Sequence, residues 1–292
     1  MRTYQEMLET ILTVATHDRR ILAVYMNGSR TNPAIQPDLF QDYDIVYVVT
    51  EIKPFITDKS WITPFGERLM LQEPDLNFST GASTFTHTYA YQMLFTDGNR
   101  IDLRLKTPEE MERTYSSDTL NQPLLDPHSL LPKMPNANHS MYVIKPPTEL
   151  EFDSFTNNFW WCLQNVAKAL WRKELPYAKA MYEATSRDSL HRMMEWWIGI
   201  QHDFQVSTGA LGKHYQKYMP TTLWERYAST YTGPDYEEMW DSIFTIAELF
   251  RELSLTVASH FDFKYPFQDE QNMIKYLQQV RFLPDYATRI FL

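Results

Sequence analysis

The sequence contains a single cysteine, Cys162, in 292 residues, which removes both a disulfide framework and a cysteine-based zinc site. It lacks any run of about 18 apolar residues, so no helix is expected to span a membrane. Met1 to Glu6 pass straight into an amphipathic pattern, without an apolar leader or a small-residue cleavage site, and a cytoplasmic protein is expected. Cations are in deficit: 27 Lys and Arg stand against 37 Asp and Glu. Nucleic acid is therefore not an expected partner, because such surfaces need clustered positive charge. A cationic small molecule suits this balance, and so does a plain need for solubility. Also missing are Gly-x-x-x-x-Gly-Lys-Ser/Thr and Gly-x-Gly-x-x-Gly, the phosphate cradles of P-loop and Rossmann proteins, and His-x-x-x-His, a zinc signature. Ser207-Thr208-Gly209 has no glycine two residues before the serine and is not a nucleophile elbow.

Large apolar side chains are plentiful. Aromatics make up 15% of the chain and hydrophobic residues 43%, enough for packed cores rather than disorder. At roughly 150 residues per domain, the length suggests two. The periodicity divides the chain accordingly and predicts an α+β protein: an N-terminal mixed-sheet unit over residues 1–145, then a helical bundle over residues 146–292. Met7, Leu8, Ile11, Leu12 and Ala15 predict an opening amphipathic helix. Ile21 to Met26 and Asp44 to Val49 read as strands. Tyr91 to Phe95, Asp97-Gly98 and Arg100 to Lys106 read as a hairpin. Thr107-Pro108-Glu109-Glu110 predicts a capped helix start, and Thr148-Glu149-Leu150-Glu151 repeats the capping-box pattern. Between them the prolines from Pro123 to Pro147 predict a hinge over residues 117–147, with Leu124, Leu125, Leu130 and Leu131 able to tack it onto a neighbouring surface. About five helices are expected in the second half, the last long one running from Asp235 towards Ser259. His191 and His202 read as hydrogen-bonded helix histidines, and most of the paired tryptophans as bundle core.

The chemistry concentrates in the first half. Gly28-Ser29-Arg30 leaves the first strand, and Asp42-Tyr43-Asp44 opens the second. Residues i and i+2 of a strand project to one side, which brings the carboxylates of Asp42 and Asp44 together. Two such carboxylates repel unless a cation sits between them, and a hard divalent ion is the usual answer. Asp102, on the polar face of the hairpin, joins them if that strand pairs with the Asp44 strand. Three convergent carboxylates would hold one or two Mg²⁺ for phosphoryl or nucleotidyl transfer. The glycine at position 28 permits close backbone approach to phosphates. Each piece also has a plainer reading: Asp42 as a loop cap, Asp102 as a solvated strand face.

The order strand, Gly-Ser, spacer, Asp-x-Asp on a strand, then an Asp on a hairpin strand resembles the nucleotidyltransferase superfamily. Asn27 stands where that pattern often has an apolar residue. Gly28-Ser29-Arg30-Thr31-Asn32, Phe40-Gln41-Asp42-Tyr43-Asp44-Ile45 and Asp97-Gly98-Asn99-Arg100-Ile101-Asp102-Leu103 look like the aminoglycoside 6-adenylyltransferases. The second half is similar too, in Lys145-Pro146-Pro147-Thr148, Leu190 to Trp196, Gly212-Lys213 and Tyr236 to Trp240. The resemblance implies transfer of AMP from ATP to the 6-hydroxyl of streptomycin. It implies Asp42 and Asp44 as metal ligands, and Asp102 as the base or a third ligand. Gly28, Ser29, Arg30 and Lys213 are the expected nucleotide contacts. A cationic acceptor needs carboxylates and flat rings, and Glu183, Glu195, Trp196, Trp197 and Asp203 are the candidates, expected at a cleft between the domains. Two alternatives stay open: a nucleotidyltransferase of the same design acting on another aminocyclitol or a protein hydroxyl, and a non-catalytic nucleotide-binding protein. Nothing in the pattern fixes an oligomeric state.

Overall fold

The apolar run at Ile21 becomes β1 (Ile21–Asn27), and the β-branched run after Asp42 becomes β2 (Tyr43–Val49). Both alternate between the two sides of a mixed sheet. In the computed structural model, which describes residues 1–77 and 85–291, β3 (Arg68–Gln72), β4 (Thr88–Phe95), β5 (Arg100–Lys106) and β6 (Gln122–Leu125) complete it. The strand order is β3-β4-β5-β2-β1-β6. Only β2 and β5 run parallel; the other neighbours are antiparallel. Asp97-Gly98 turns β4 into β5, with Gly98 at φ 84°, a conformation glycine takes without steric cost.

One sheet face carries Met26, Ile45, Tyr47, Ile101 and Leu103 against Met7 and Ile11 of α1 (Tyr4–His17). Both α1 residues are fully buried, about 1.5–3 kcal/mol each in transfer terms. The short helices α2 (Lys53–Thr57) and α3 (Pro74–Asn77) lie in the β2–β4 connection. The opposite face holds Ala23, Tyr25, Val46 and Val48, covered by Met111 and Tyr115 of α4 (Pro108–Tyr115). Thr107 caps α4 through the Glu110 amide, but the expected reciprocal bond is absent because Glu110 pairs with Arg113 instead.

The expected hinge is more ordered than its prolines suggest. Residues 122–125 form β6, an edge strand on β1 in which Pro123 lies opposite Tyr25. An edge strand has one unbonded side, so a proline there need not cost a ladder hydrogen bond. Leu131 is buried with Tyr25 and Met111.

The two compact units are Met1–Met141 and Tyr142–Leu292. The second consists of α5 (Glu149–Trp171), α6 (Leu175–Met181), a π-turn at Tyr182–Arg187, α7 (Asp188–Gln201), α8 (Tyr215–Tyr218), α9 (Thr221–Ala228), α10 (Tyr236–Phe261) and α11 (Phe267–Arg281). Thr148 and Glu151 cap α5 reciprocally. Phe159 of α5 stacks on Phe250 of α10 with ring centroids 3.7 Å apart. The sequence reading stopped short of α11, which fully buries little beyond Leu277 and Val280, too thin a stripe to show as periodicity. Among the described residues no helix is long and apolar enough to cross a membrane.

Candidate active site

The parallel pairing of β2 with β5 sets Asp44 directly beside Asp102. The flanking pairings place Asn27 of β1 beside Asp44 and Gln92 of β4 beside Asp102. Paired residues share a face, so Asn27, Asp44, Asp102 and Gln92 form one polar row across four strands. It lies on the face that α4 covers further along, where Val46 and Val48 continue the Asp44 side of β2. The chain then turns at Gly28–Arg30. Gly28 has φ 75°, and a Cβ there would stand 2.0 Å from Asp44 Oδ2. Only glycine fits against that carboxylate.

Arg100 lies two residues before Asp102 on the same strand face and grips it with a fork: Nε donates to Oδ1 and Nη2 to Oδ2, both at 2.7 Å. Its Nη1 also reaches Asp42 Oδ2 at 3.3 Å. Gln92 Nε2 donates to Asp102 Oδ2 at 3.3 Å. One guanidinium thus serves two of the three carboxylates, Asp42 and Asp102, and the imbalance falls on Asp44. Burial first, then the charges of Asp102 and Asp42, push its carboxyl up to about 6, against the opposing pull of Arg100 and Arg30. Asp42 is raised too, by burial, with Arg100 pulling the other way.

This donor set of hard carboxylate oxygens, short of positive charge, suits a divalent ion such as Mg²⁺. Among the described residues no three acids, histidines or cysteines stand close enough together to hold a metal ion as they are placed, and Arg100 bridges two of the three aspartates. Neither Gln92 nor Arg100 is among the site residues expected from the sequence, although both signals are present in it. Strand alternation puts position 100 on the face of 102, and the tight Asp97-Gly98 turn sets position 92 opposite 102.

The expected nucleotide contacts divide. Gly28 and Ser29 sit at the carboxylate row. Arg30 is turned inward, donating to the backbone oxygens of Asp42 at 3.0 Å and Gln41 at 2.6 Å. Its guanidinium also lies 3.8 Å from the Tyr43 ring centroid. It clamps the loop that delivers Asp42 through Nε and Nη2. Lys213 belongs to the helical unit, just after the Ala210–Gly212 turn, with its stem packed on Gly209.

The candidate acceptor residues all belong to the helical unit. Glu183, in the π-turn, pairs with Arg187, and Glu195 pairs with Arg192 at 2.6 Å. Burial raises the Glu195 pKa. Trp196 is 4% exposed and meets Phe155 edge-on at 5.6 Å. It is core, which corrects its expected role as a stacking platform. Trp197 is partly buried against the same core. Asp203 is exposed on the loop after α7, at φ 49°. His191 bonds the Tyr227 hydroxyl at 2.8 Å, as a hydrogen-bonded helix histidine should.

A mixed sheet that presents a Gly-Ser turn and paired aspartates on adjacent strands defines a nucleotidyltransferase. The sequence profile of the streptomycin adenylyltransferase family matches residues 1–280, and the chain belongs to that family. It is 39% identical over 272 residues to an aminoglycoside 6-adenylyltransferase of Campylobacter jejuni, covering 93% of each chain. To the enzyme of the same name from Bacillus subtilis (strain 168) it is 38% identical over 281 residues, covering 96% of this chain and 98% of the relative. The crystal structure of an aminoglycoside 6-adenyltransferase from Bacillus subtilis aligns over 97% of this chain and 100% of its own, with 33% identity and a TM-score of 0.48.

Proposed function

We propose that this protein transfers AMP from Mg-ATP to the 6-hydroxyl of streptomycin, inactivating the antibiotic in the cytoplasm. The observation that carries the proposal is the side-by-side placement of Asp44 and Asp102 on parallel strands, with Gly28 directly against Asp44. Asp42, Asp44 and Asp102 are the residues to hold Mg²⁺, which when bound supplies the positive charge that offsets the phosphates. Gly28 and Ser29 offer backbone N–H groups and a hydroxyl to the nucleotide, and Lys213 is a point charge for the triphosphate. Asp102 takes the proton from the acceptor hydroxyl as its oxygen attacks the α-phosphorus in line. Pyrophosphate leaves, and the proton remains on the carboxyl until exchanged with water.

Streptomycin carries two guanidinium groups and an amine, so its recognition calls for carboxylates. Glu183, Glu195 and Asp203 are the candidates, with Trp197 as a candidate ring for stacking. Glu183 and Glu195 each hold an arginine already, so the drug's cations would exchange for a side chain rather than fill a vacancy. Its KM should rise with salt, since partly exposed charge pairs are screened.

The direct test is transfer of label from [α-³²P]ATP to a panel of aminoglycosides, run with Mg²⁺ and with excess EDTA. Streptomycin should become labelled and kanamycin should not. Efficient labelling of kanamycin with none of streptomycin would overturn the acceptor while leaving the three-aspartate chemistry standing. No labelling of any acceptor would overturn the reading as a whole.

A further inference from the structure

Three aspartates crowd one end of the sheet, yet Asp42 and Asp102 already have a cation. Arg100 holds Asp102 through two parallel bonds of 2.7 Å and reaches Asp42 at 3.3 Å. Gln92 braces the Asp102 carboxylate from β4. The guanidinium is built into the site by the strand itself, since alternation along β5 puts positions 100 and 102 on one face. Its side chain is 41% exposed, so the head can leave for water while the apolar neighbours Ile101 and Leu103 stay buried on the other face.

We propose that Arg100 is the site's resident counter-ion, and that a divalent cation binds by displacing it from Asp42 and Asp102. The inference rests on the metal-binding reading of the three aspartates given above. The Arg100 fork takes up both oxygens of Asp102, each of which has few further lone pairs directed into the site. A metal that draws on Asp102 and Asp42 must therefore compete with a charge-assisted, two-pronged pair. Arg100 limits carboxylate repulsion while the metal is away and weakens metal binding by the same interaction. The metal is then better delivered already bound to the triphosphate, whose own oxygens add to the competition against Arg100. Asp44, which Arg100 does not touch through any of these bonds, is the carboxylate left to make the first contact.

The test uses Mn²⁺ alone, followed by electron paramagnetic resonance, on the full chain. Arg100→Gln should bind Mn²⁺ about tenfold or more tightly than the wild type, as expected for removing one charge-assisted competitor. Loss of the positive charge alone would also tighten binding, so the wild type supplies a second reading. Phenylglyoxal modification of Arg100, followed by peptide mass spectrometry, should speed up several-fold when Mn²⁺ is added, because the guanidinium is released. Reactivity of Arg100 that stays constant or falls on Mn²⁺ binding would overturn the displacement, whether or not the variant folds. Asp44→Asn separates the two layers of the argument. If it binds Mn²⁺ as well as the wild type does, the metal reading falls and this inference with it. If binding depends on Asp44 but Arg100 labelling does not respond, the displacement alone fails.

Discussion

In the sheet unit Asp42 and Asp102 share Arg100 and Asp44 has no ion pair among the described residues, whereas in the helical unit Glu183, Glu195, Glu252 and Glu270 each hold an arginine of their own. Where Arg281 takes two acids, Glu237 and Asp241, both are more than 70% exposed and water screens them. The contrast separates two uses of charge. Exposed matched pairs such as Arg226–Glu252 contribute little and cost little. Unmatched carboxylates half-buried in a sheet are a standing cost, tolerated because β2 and β5 are locked by their apolar face and the site needs the imbalance.

The contrast predicts that charge changes in the sheet unit act on catalysis and packing changes in the helical unit act on stability. Asp44→Asn should lower AMP transfer by about a thousandfold or more while the melting temperature stays within a few degrees, because it removes one of the carboxylates proposed to hold the metal and leaves the core intact. EDTA should do the same to the wild type, and activity surviving both treatments would break the comparison. Phe159→Ala, in the helical unit, should do the reverse. Losing the ring stacked on Phe250 should cost about 3–5 kcal/mol in denaturant unfolding. A smaller loss would mean that the helices close over the gap.

Asp102→Asn sharpens the site itself. As general base, Asp102 should take about two to four orders of magnitude of kcat with it while Mg-ATP still binds. Loss of Mg-ATP binding in calorimetry would make it chiefly a metal ligand. A smaller effect is expected at Asp97, whose carboxylate accepts from the Arg2 side chain at 2.7 Å and from Asn99. Burial opposes its ionised form, but these bonds outweigh burial and hold its pKa below the usual carboxylate range. A depressed folded pKa contributes stability above the unfolded value of about 3.9 and loses it as pH falls below that. Asp97→Asn should therefore cost about 1–2 kcal/mol at pH 7, discounted for partial exposure. Its gap from the wild type should close in melts taken below about pH 4; a gap constant with pH would assign the cost to geometry instead.

Much of this arrangement could be read in advance where local chemistry decides it. Asp97-Gly98 specifies its hairpin, Thr148 with Glu151 specifies the start of α5, and Asp42-Tyr43-Asp44 announces a carboxylate pair. What stayed hidden depends on partners distant in sequence. β6 looked like hinge because Pro123 argues against a strand, and only its position at the sheet edge makes proline acceptable. The engagement of Arg30 with the Asp42 and Gln41 carbonyls is a tertiary fact that no local pattern shows. Trp196 and Trp197 are adjacent in sequence, and only the packing shows that the first is sealed into the core.

The parallel pairing of β2 with β5 also bears on how the molecule comes into being. β4 and β5 can zip together as a hairpin within microseconds of meeting. β2 can reach β5 only after the whole β3–β4 segment has been looped out, and contacts between residues so far apart in the chain form late and slowly. Asp44 and Asp102 are therefore strangers through the early part of folding and become neighbours only as the sheet closes. The nascent chain does not face its own electrostatic repulsion until the apolar sides of both strands are there to hold it.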